Sequence, residues 1–144
     1  MLSIGELSRA TDCKVETIRY YEKIGLMPEP ARSAGNQRRY GERHRDRLHF
    51  IRHSRQLGFS IEAIRELLSL ADHDHRDCAA VDALTRHHRQ EVEARIRSLE
   101  ALRDELDRML RDCAGGDIAH CGVIQTLADH GRCDSEHVQT PPLK

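Results

Sequence analysis

The sequence predicts a mainly α protein in three parts: a winged helix-turn-helix head, a long antiparallel coiled-coil dimerisation helix, and a short carboxy-terminal loop and helix. Three observations predict it. Hydrophobic residues are 38% and charged residues 33% of the 144, with 3% aromatic and no Trp. That leaves little bulk for one thick core, so burial must run between helices or between chains. From Cys78 to Ala114 there is neither Gly nor Pro, and Val81, Leu84, His88, Val92, Ile96, Leu99, Leu102, Leu106 and Leu110 recur every three or four residues, the mark of a narrow apolar seam. The amino-terminal stretch instead breaks into two short helical patterns around a turn, followed by a basic hairpin.

Ser3 and Glu6 make a capping box at the start of a first helix, on which Ile4, Leu7 and Ala10 share a face. Thr11, Asp12 and Cys13 carry turn chemistry. Val15, Ile18 and Tyr21 then resume a helical period that Gly25 ends. Pro28 and Pro30 bar further helix, and the polar, basic run from Ala31 to Tyr40, centred on Ser33, Ala34, Gly35 and Asn36, reads as a hairpin of two small strands. A third helix from Glu42 to about Gln56 is closed by Gly58. Ser60 caps a fourth that reaches about Ala71, with Phe59 and Ile64 placed as a hydrophobic staple.

These elements define a head over residues 1–71. A polar break separates it from the long helix at 78–112, whose seam is too narrow for the short helices to cover, so a second copy of the same helix is the expected partner. Residues 113–130 are read as a loop around Gly115 and Gly116 plus a two-turn helix from Val123 to Ala128, and residues 131–144 as a flexible tail.

Charge divides the same way. Residues 1–57 carry 12 Lys/Arg against 7 Asp/Glu, and residues 58–144 carry 11 against 17, so the head is the part suited to a polyanion. No apolar run approaches the roughly 20 residues that cross a bilayer, and no leader pattern opens the chain, so a cytoplasmic protein without membrane contact is expected. The odd number of Cys, 5 in all, fits reduced thiols that are free to hold metal. Ser, His and carboxylates form no nucleophile motif or phosphate-binding Gly loop, so no enzyme is expected.

On the second helix, Lys14, Thr17, Arg19 and Tyr20 offer donors for phosphates and base edges while Val15, Ile18 and Tyr21 turn inward, as a helix seated in a major groove requires. The hairpin adds Arg32, Asn36, Arg38, Arg39 and Tyr40, with Arg52 and Arg55 following on the third helix. Ile4-Gly-Glu-Leu7, Glu16-Thr-Ile-Arg-Tyr-Tyr-Glu22, Gly25-Leu26, Pro30-Ala-Arg32, Asn36, Arg39-Tyr40 and Arg55-Gln-Leu-Gly-Phe59, followed by Ile61 and Ile64, resemble the MerR family of bacterial regulators from about residue 2 to residue 128. The resemblance implies a homodimer on palindromic promoter DNA with an overlong spacer. An effector would make it bend and untwist that DNA, so that RNA polymerase can use the same promoter.

Cys78 and Cys113 stand 35 positions apart, about 50 Å along one helix, and cannot share an ion within one chain. Antiparallel pairing would instead bring Cys78 of one subunit beside Cys113 of the other, with Cys121 closing over the same point. The resemblance agrees: metal-sensing members carry two Cys flanking a loop after the dimerisation helix. Those answering to divalent ions add a Cys at its start, where the monovalent copper and gold sensors carry Ser. A divalent soft ion (Zn, Cd, Pb or Hg) is therefore expected on Cys78, Cys113 and Cys121, with His120 as a possible nitrogen ligand. In the tail, Cys133, His130 and His137 could complete or extend that site. Two alternatives rank below: a monovalent copper or silver sensor of the same family, and an iron–sulfur redox regulator, for which the loop offers too few thiols.

Overall fold

The computed structural model describes residues 1–73, 77–112, 116, 118–134 and 136–137. The described chain divides into two compact units, Met1–Leu84 and Thr85–Lys144.

The amino-terminal unit opens with α1 (Ile4–Thr11), whose start is fixed by the reciprocal cap: Ser3 Oγ accepts from the Glu6 N–H at 3.3 Å and Glu6 Oε2 from the Ser3 N–H at 2.7 Å. The Ser3 contacts, backbone before side chain, hold the Glu6 carboxyl below its ordinary pKa. Asp12 ends α1 in the left-handed region at φ 51° and hands the chain to α2 (Val15–Lys23). Gly25, at φ 79°, turns it out again, a conformation that a side chain would strain.

A two-stranded antiparallel hairpin follows, β1 (Ala31–Arg32) with β2 (Arg38–Arg39), in the register Ala31 to Arg39 and Arg32 to Arg38. Asn36, at φ 62°, forms its tip. Leu2 and Tyr40 exchange backbone hydrogen bonds of 2.7 and 2.8 Å, which stitch the amino terminus to the base of the hairpin. Next come α3 (Glu42–Gln56) and α4 (Ile61–Ala71), the latter capped by Ser60 Oγ on the Ala63 N–H at 3.1 Å. Leu7, Ile18, Leu26, Tyr40, Leu48, Ile51 and Ile64 make the centre of the core, with Phe59 packed at its edge. Each helix contributes the face that its three-and-four spacing foretells.

The long helix α5 runs over Ala79–Asp112. Its outer side is laced by ion pairs one turn apart, such as Arg89–Glu93 at 2.8 Å and His87–Glu91 at 2.9 Å. Val92, Ile96, Leu106 and Leu110 of the apolar seam are exposed, Leu110 by 67%.

In the carboxy-terminal unit, a 3-10 turn (Ile118–His120) leads into α6 (Gly122–Ala128), and a second 3-10 turn spans His130–Arg132. The described part of the tail makes contacts with α5 and α6. Asp134 donates its backbone N–H to Glu105 and sets its carboxylate 3.5 Å from Arg108, while Arg132 donates to Gln125. Glu105 is buried on α5 and receives Arg108 through two nitrogens, at 2.9 and 3.2 Å. Both nitrogens share the Oε2 atom of Glu105, a charge-assisted contact stronger than one between neutral groups. None of the described helices is long and apolar enough to cross a membrane.

Candidate DNA interface and metal centre

The basic face of the head is built from α2 and the hairpin. The α2 period buries Ile18 and Tyr21, so Lys14, Arg19 and Tyr20 fall on the opposite, exposed side and Thr17 at its margin. Arg32, Asn36 and Arg38 are exposed on the hairpin and Arg39 is half-buried. An open cleft of about 320 Å³ between the two elements is lined by Arg19, Glu22, Lys23, Glu29, Arg32 and Arg38. Glu22 organises it by accepting the Tyr40 hydroxyl at 2.5 Å and lying 3.5 Å from Arg38. Burial, and then this hydrogen bond, push the Tyr40 hydroxyl well above its ordinary pKa, so at neutral pH it stays a donor. Arg38 is thereby held on the face by an anchor inside the fold.

At the far end of the chain, α6 packs against the last turn of α5 through a position that only glycine fits. A Cβ on Gly122 would stand 2.9 Å from Asp112 Cβ and 3.2 Å from the Asp112 carbonyl oxygen. Cys121, the residue before Gly122, is the N-cap of α6; its N–H donates to the Ile118 carbonyl at 3.1 Å and its carbonyl accepts from Gln125 at 3.0 Å. The half-buried Cys121 is thus held near Asp112, the sequence neighbour of Cys113. His120 lies beside it, exposed, on the rim of a hollow with Arg108, Asp112 and Arg132. Cys78 is exposed just ahead of α5, its carbonyl accepting the Asp82 N–H at 2.8 Å. Cys78, Cys121 and Cys133 carry thiols, the donor type that soft cations select.

A model of the MerR helix-turn-helix regulatory protein family matches residues 2–71, and a MerR DNA-binding model matches residues 45–109. The chain belongs to the MerR family. The transcriptional regulator ZntR of Escherichia coli K12 is 42% identical over 130 residues, 88% of this chain and 92% of that protein. The lead(II) complex of the regulator PbrR691 from Ralstonia metallidurans CH34 superimposes with a TM-score of 0.78 at 42% identity, over 88% of this chain and 99% of that one. The mercury(II) complex of MerR from Bacillus megaterium MB1 gives 0.66 at 32% identity, over 89% and 100%.

Within this MerR-family chain the structure brings Lys14, Arg19, Tyr20, Arg32, Asn36 and Arg38 to the surface of α2 and the hairpin, with Thr17 and Arg39 partly covered. Tyr40 corrects the reading of the sequence. It is fully buried and serves Glu22 rather than a groove, because the Leu2 bridge turns the end of β2 into the core. Arg52 and Arg55 are likewise committed within the fold, Arg52 to Asp12 at 2.8 Å and Arg55 to the Phe59 carbonyl at 2.9 Å. Cys13 is buried, and burial pushes its thiol pKa up, in keeping with a packing role.

Cys113 lies outside the described residues. Cys133 joins His130 and His137 in a cluster that does not include Cys121. Sequence reasoning missed Glu22, and also Arg47 and Arg65. The last two donate to the Leu26 and Ile24 carbonyls, at 2.8 and 2.6 Å, and so brace the end of α2. The signal available for Glu22 is its position between Arg19 and Lys23 on a basic helix face.

Proposed function

We propose that this chain is a cytoplasmic, metal-responsive transcriptional regulator of bacteria, a homodimer that binds double-stranded promoter DNA through α2 and the hairpin. It activates a promoter serving heavy-metal export or detoxification. The DNA contacts assigned are Lys14, Thr17, Arg19, Tyr20, Arg32, Asn36, Arg38 and Arg39, with Tyr40 positioning Arg38 through Glu22. The exposed seam of α5 supports the dimer, since Val92 and Ile96 are apolar side chains 42% and 48% open in the single chain and a second copy buries them.

The inducing ion is read as divalent and soft (Zn, Cd, Pb or Hg), held by Cys113 and Cys121 together with Cys78 of the partner subunit, His120 adding a nitrogen in the tetrahedral case. The observation that carries this reading is the close approach of Gly122 to Asp112, which holds Cys121 at the end of α5 where Cys113 follows in sequence. The relatives crystallised with lead(II) and mercury(II) support it. Charge supports it as well: three thiolates around a divalent ion total −1, whereas the same three around a monovalent ion total −2, at a larger desolvation cost. Occupancy then distorts the bound DNA so that RNA polymerase uses the promoter.

The test is promoter activation titrated with each ion in the parent and in Cys78→Ser. Activation by a divalent soft ion that is lost in Cys78→Ser is expected. Best activation by copper or silver, unchanged in Cys78→Ser, replaces the reading with a two-thiol monovalent sensor.

A further inference from the structure

The carboxy-terminal unit holds a second group of metal-ligating side chains, apart from the three thiols assigned above. Among the described residues, one ligand atom each from His130, Cys133 and His137 lie within 4.8 Å of one another. His137 Nε2 is 3.4 Å from Cys133 Sγ, and the His130 and His137 rings meet edge to face with centroids 4.8 Å apart.

Local chain geometry produces this grouping. Asp129 accepts the Gly131 N–H at 2.9 Å and starts the 3-10 turn, and the Cys133 N–H closes it on the His130 carbonyl at 2.9 Å. A turn of three residues per revolution stacks positions three apart, so His130 and Cys133 share a side. The turn is fastened to α5 one residue later, through Asp134, Glu105 and Arg108. Glu136 adds a carboxylate 3.4 Å from His130 Nε2.

We propose that His130, Cys133 and His137 form a second metal site, complete within one chain, that takes a divalent ion of the zinc class through two imidazole nitrogens and one thiolate. Tetrahedral Zn–N and Zn–S bonds of about 2.1 and 2.3 Å place neighbouring donors about 3.4–3.6 Å apart. The His137–Cys133 pair already stands at that spacing, and the other two separations lie within 4.8 Å.

The donor set differs in kind from the three-thiolate site. Two neutral imidazoles and a thiolate leave a divalent ion at +1, which water or the Glu136 carboxylate can complete. Imidazole suits zinc, copper and nickel, whereas a purely thiolate shell suits lead and mercury. Occupancy would tie His137 to a turn already docked on α5, so ion binding and the seating of His137 are coupled.

The test uses the full chain with Cys78, Cys113 and Cys121 all changed to Ser, titrated with Co(II) as an optical probe and counted by native mass spectrometry. One Co(II) per chain with a sulfur-to-cobalt charge-transfer band is expected. Cys133→Ser in that background removes the band, and His130→Ala or His137→Ala weakens binding beyond the about 10- to 100-fold that outer-shell changes cost. If the triple-Ser chain does not fold by circular dichroism, the parent and the single Cys133→Ser chain are compared, the parent holding one more Co(II). Absence of Co(II) from the folded triple-Ser chain, a band that survives Cys133→Ser, or equal stoichiometry in the second comparison overturns the assignment. Promoter output plays no part in these readouts, so failure of the three-thiol reading leaves them intact.

Discussion

Replacing Gly122 by Ala tests whether the seating of α6 on α5 governs ion binding. Two effects oppose each other. In a helix interior Ala is favoured over Gly by about 1 kcal/mol, an upper bound at Gly122, the first residue of α6, so with open space around it the variant would be no less stable. The space is not open, because the new methyl would stand 2.9 Å from Asp112 Cβ and 3.2 Å from its carbonyl oxygen. Both neighbours belong to the end of α5, and one of them is backbone, so α6 must shift. Overpacking of this kind costs about 1–3 kcal/mol. Crowding therefore outweighs propensity, and the displaced N-cap carries Cys121 away from the geometry that binds the ion. With that preference subtracted from the overpacking cost, the net loss is up to roughly 2 kcal/mol, an up to about 30-fold higher ion concentration for half-maximal promoter activation. Operator affinity without metal should stay at the parent value, since the core of the head contains no residue of α6. A Gly122→Ala protein activated at the parent's ion concentration refutes the reasoning, for it would show that Cys121 is placed by something other than this contact.

Three further outcomes follow from the head and the seam. Leu99→Asp places an unpaired charge in the proposed dimer interface and should cost several kcal/mol of association, roughly 3 or more; sedimentation that still finds a dimer removes the antiparallel coil. Arg19→Ala should weaken operator binding by about 1–3 kcal/mol, and parent binding should fall steeply with added salt as counterions are released; parent-like affinity and selectivity would displace α2 as the reading element. Tyr40→Phe deletes the hydroxyl donated to Glu22 while Arg38 stays 3.5 Å away. A hydrogen bond to a charged group contributes about 1.5–3 kcal/mol, so urea unfolding of the head should move by about the lower figure, and an unmoved midpoint would mean that the bond adds nothing.

The sequence by itself determined the elements, because their ends are set by neighbours in the chain. Ser3 with Glu6, Ser60 with Ala63, and Gly25 at positive φ are interactions within a few residues, so residue type and spacing carry the information. The same holds for α5, whose period of three and four survives without a single Gly or Pro. Tertiary structure decided which polar groups face outward and which are consumed inside. Tyr40 reads as a groove-facing residue of a basic hairpin until Leu2, from the start of the chain, pairs with it and turns it inward. Arg52 reads as a free cation until Asp12, 40 positions earlier, claims it. Gly122 carries no signal of its own in the sequence, yet its missing Cβ lets α6 seat on Asp112. The two histidines and the cysteine of the tail read as additions to the three-thiol site until a 3-10 turn, held on α5 through Asp134, groups them with one another and without Cys121. The physical reason is common to all four cases. Caps and periodicity act through a few bonds of one chain, whereas the fate of a long polar side chain, or of the space where one is absent, depends on a partner whose distance along the sequence bears no relation to its distance in the fold.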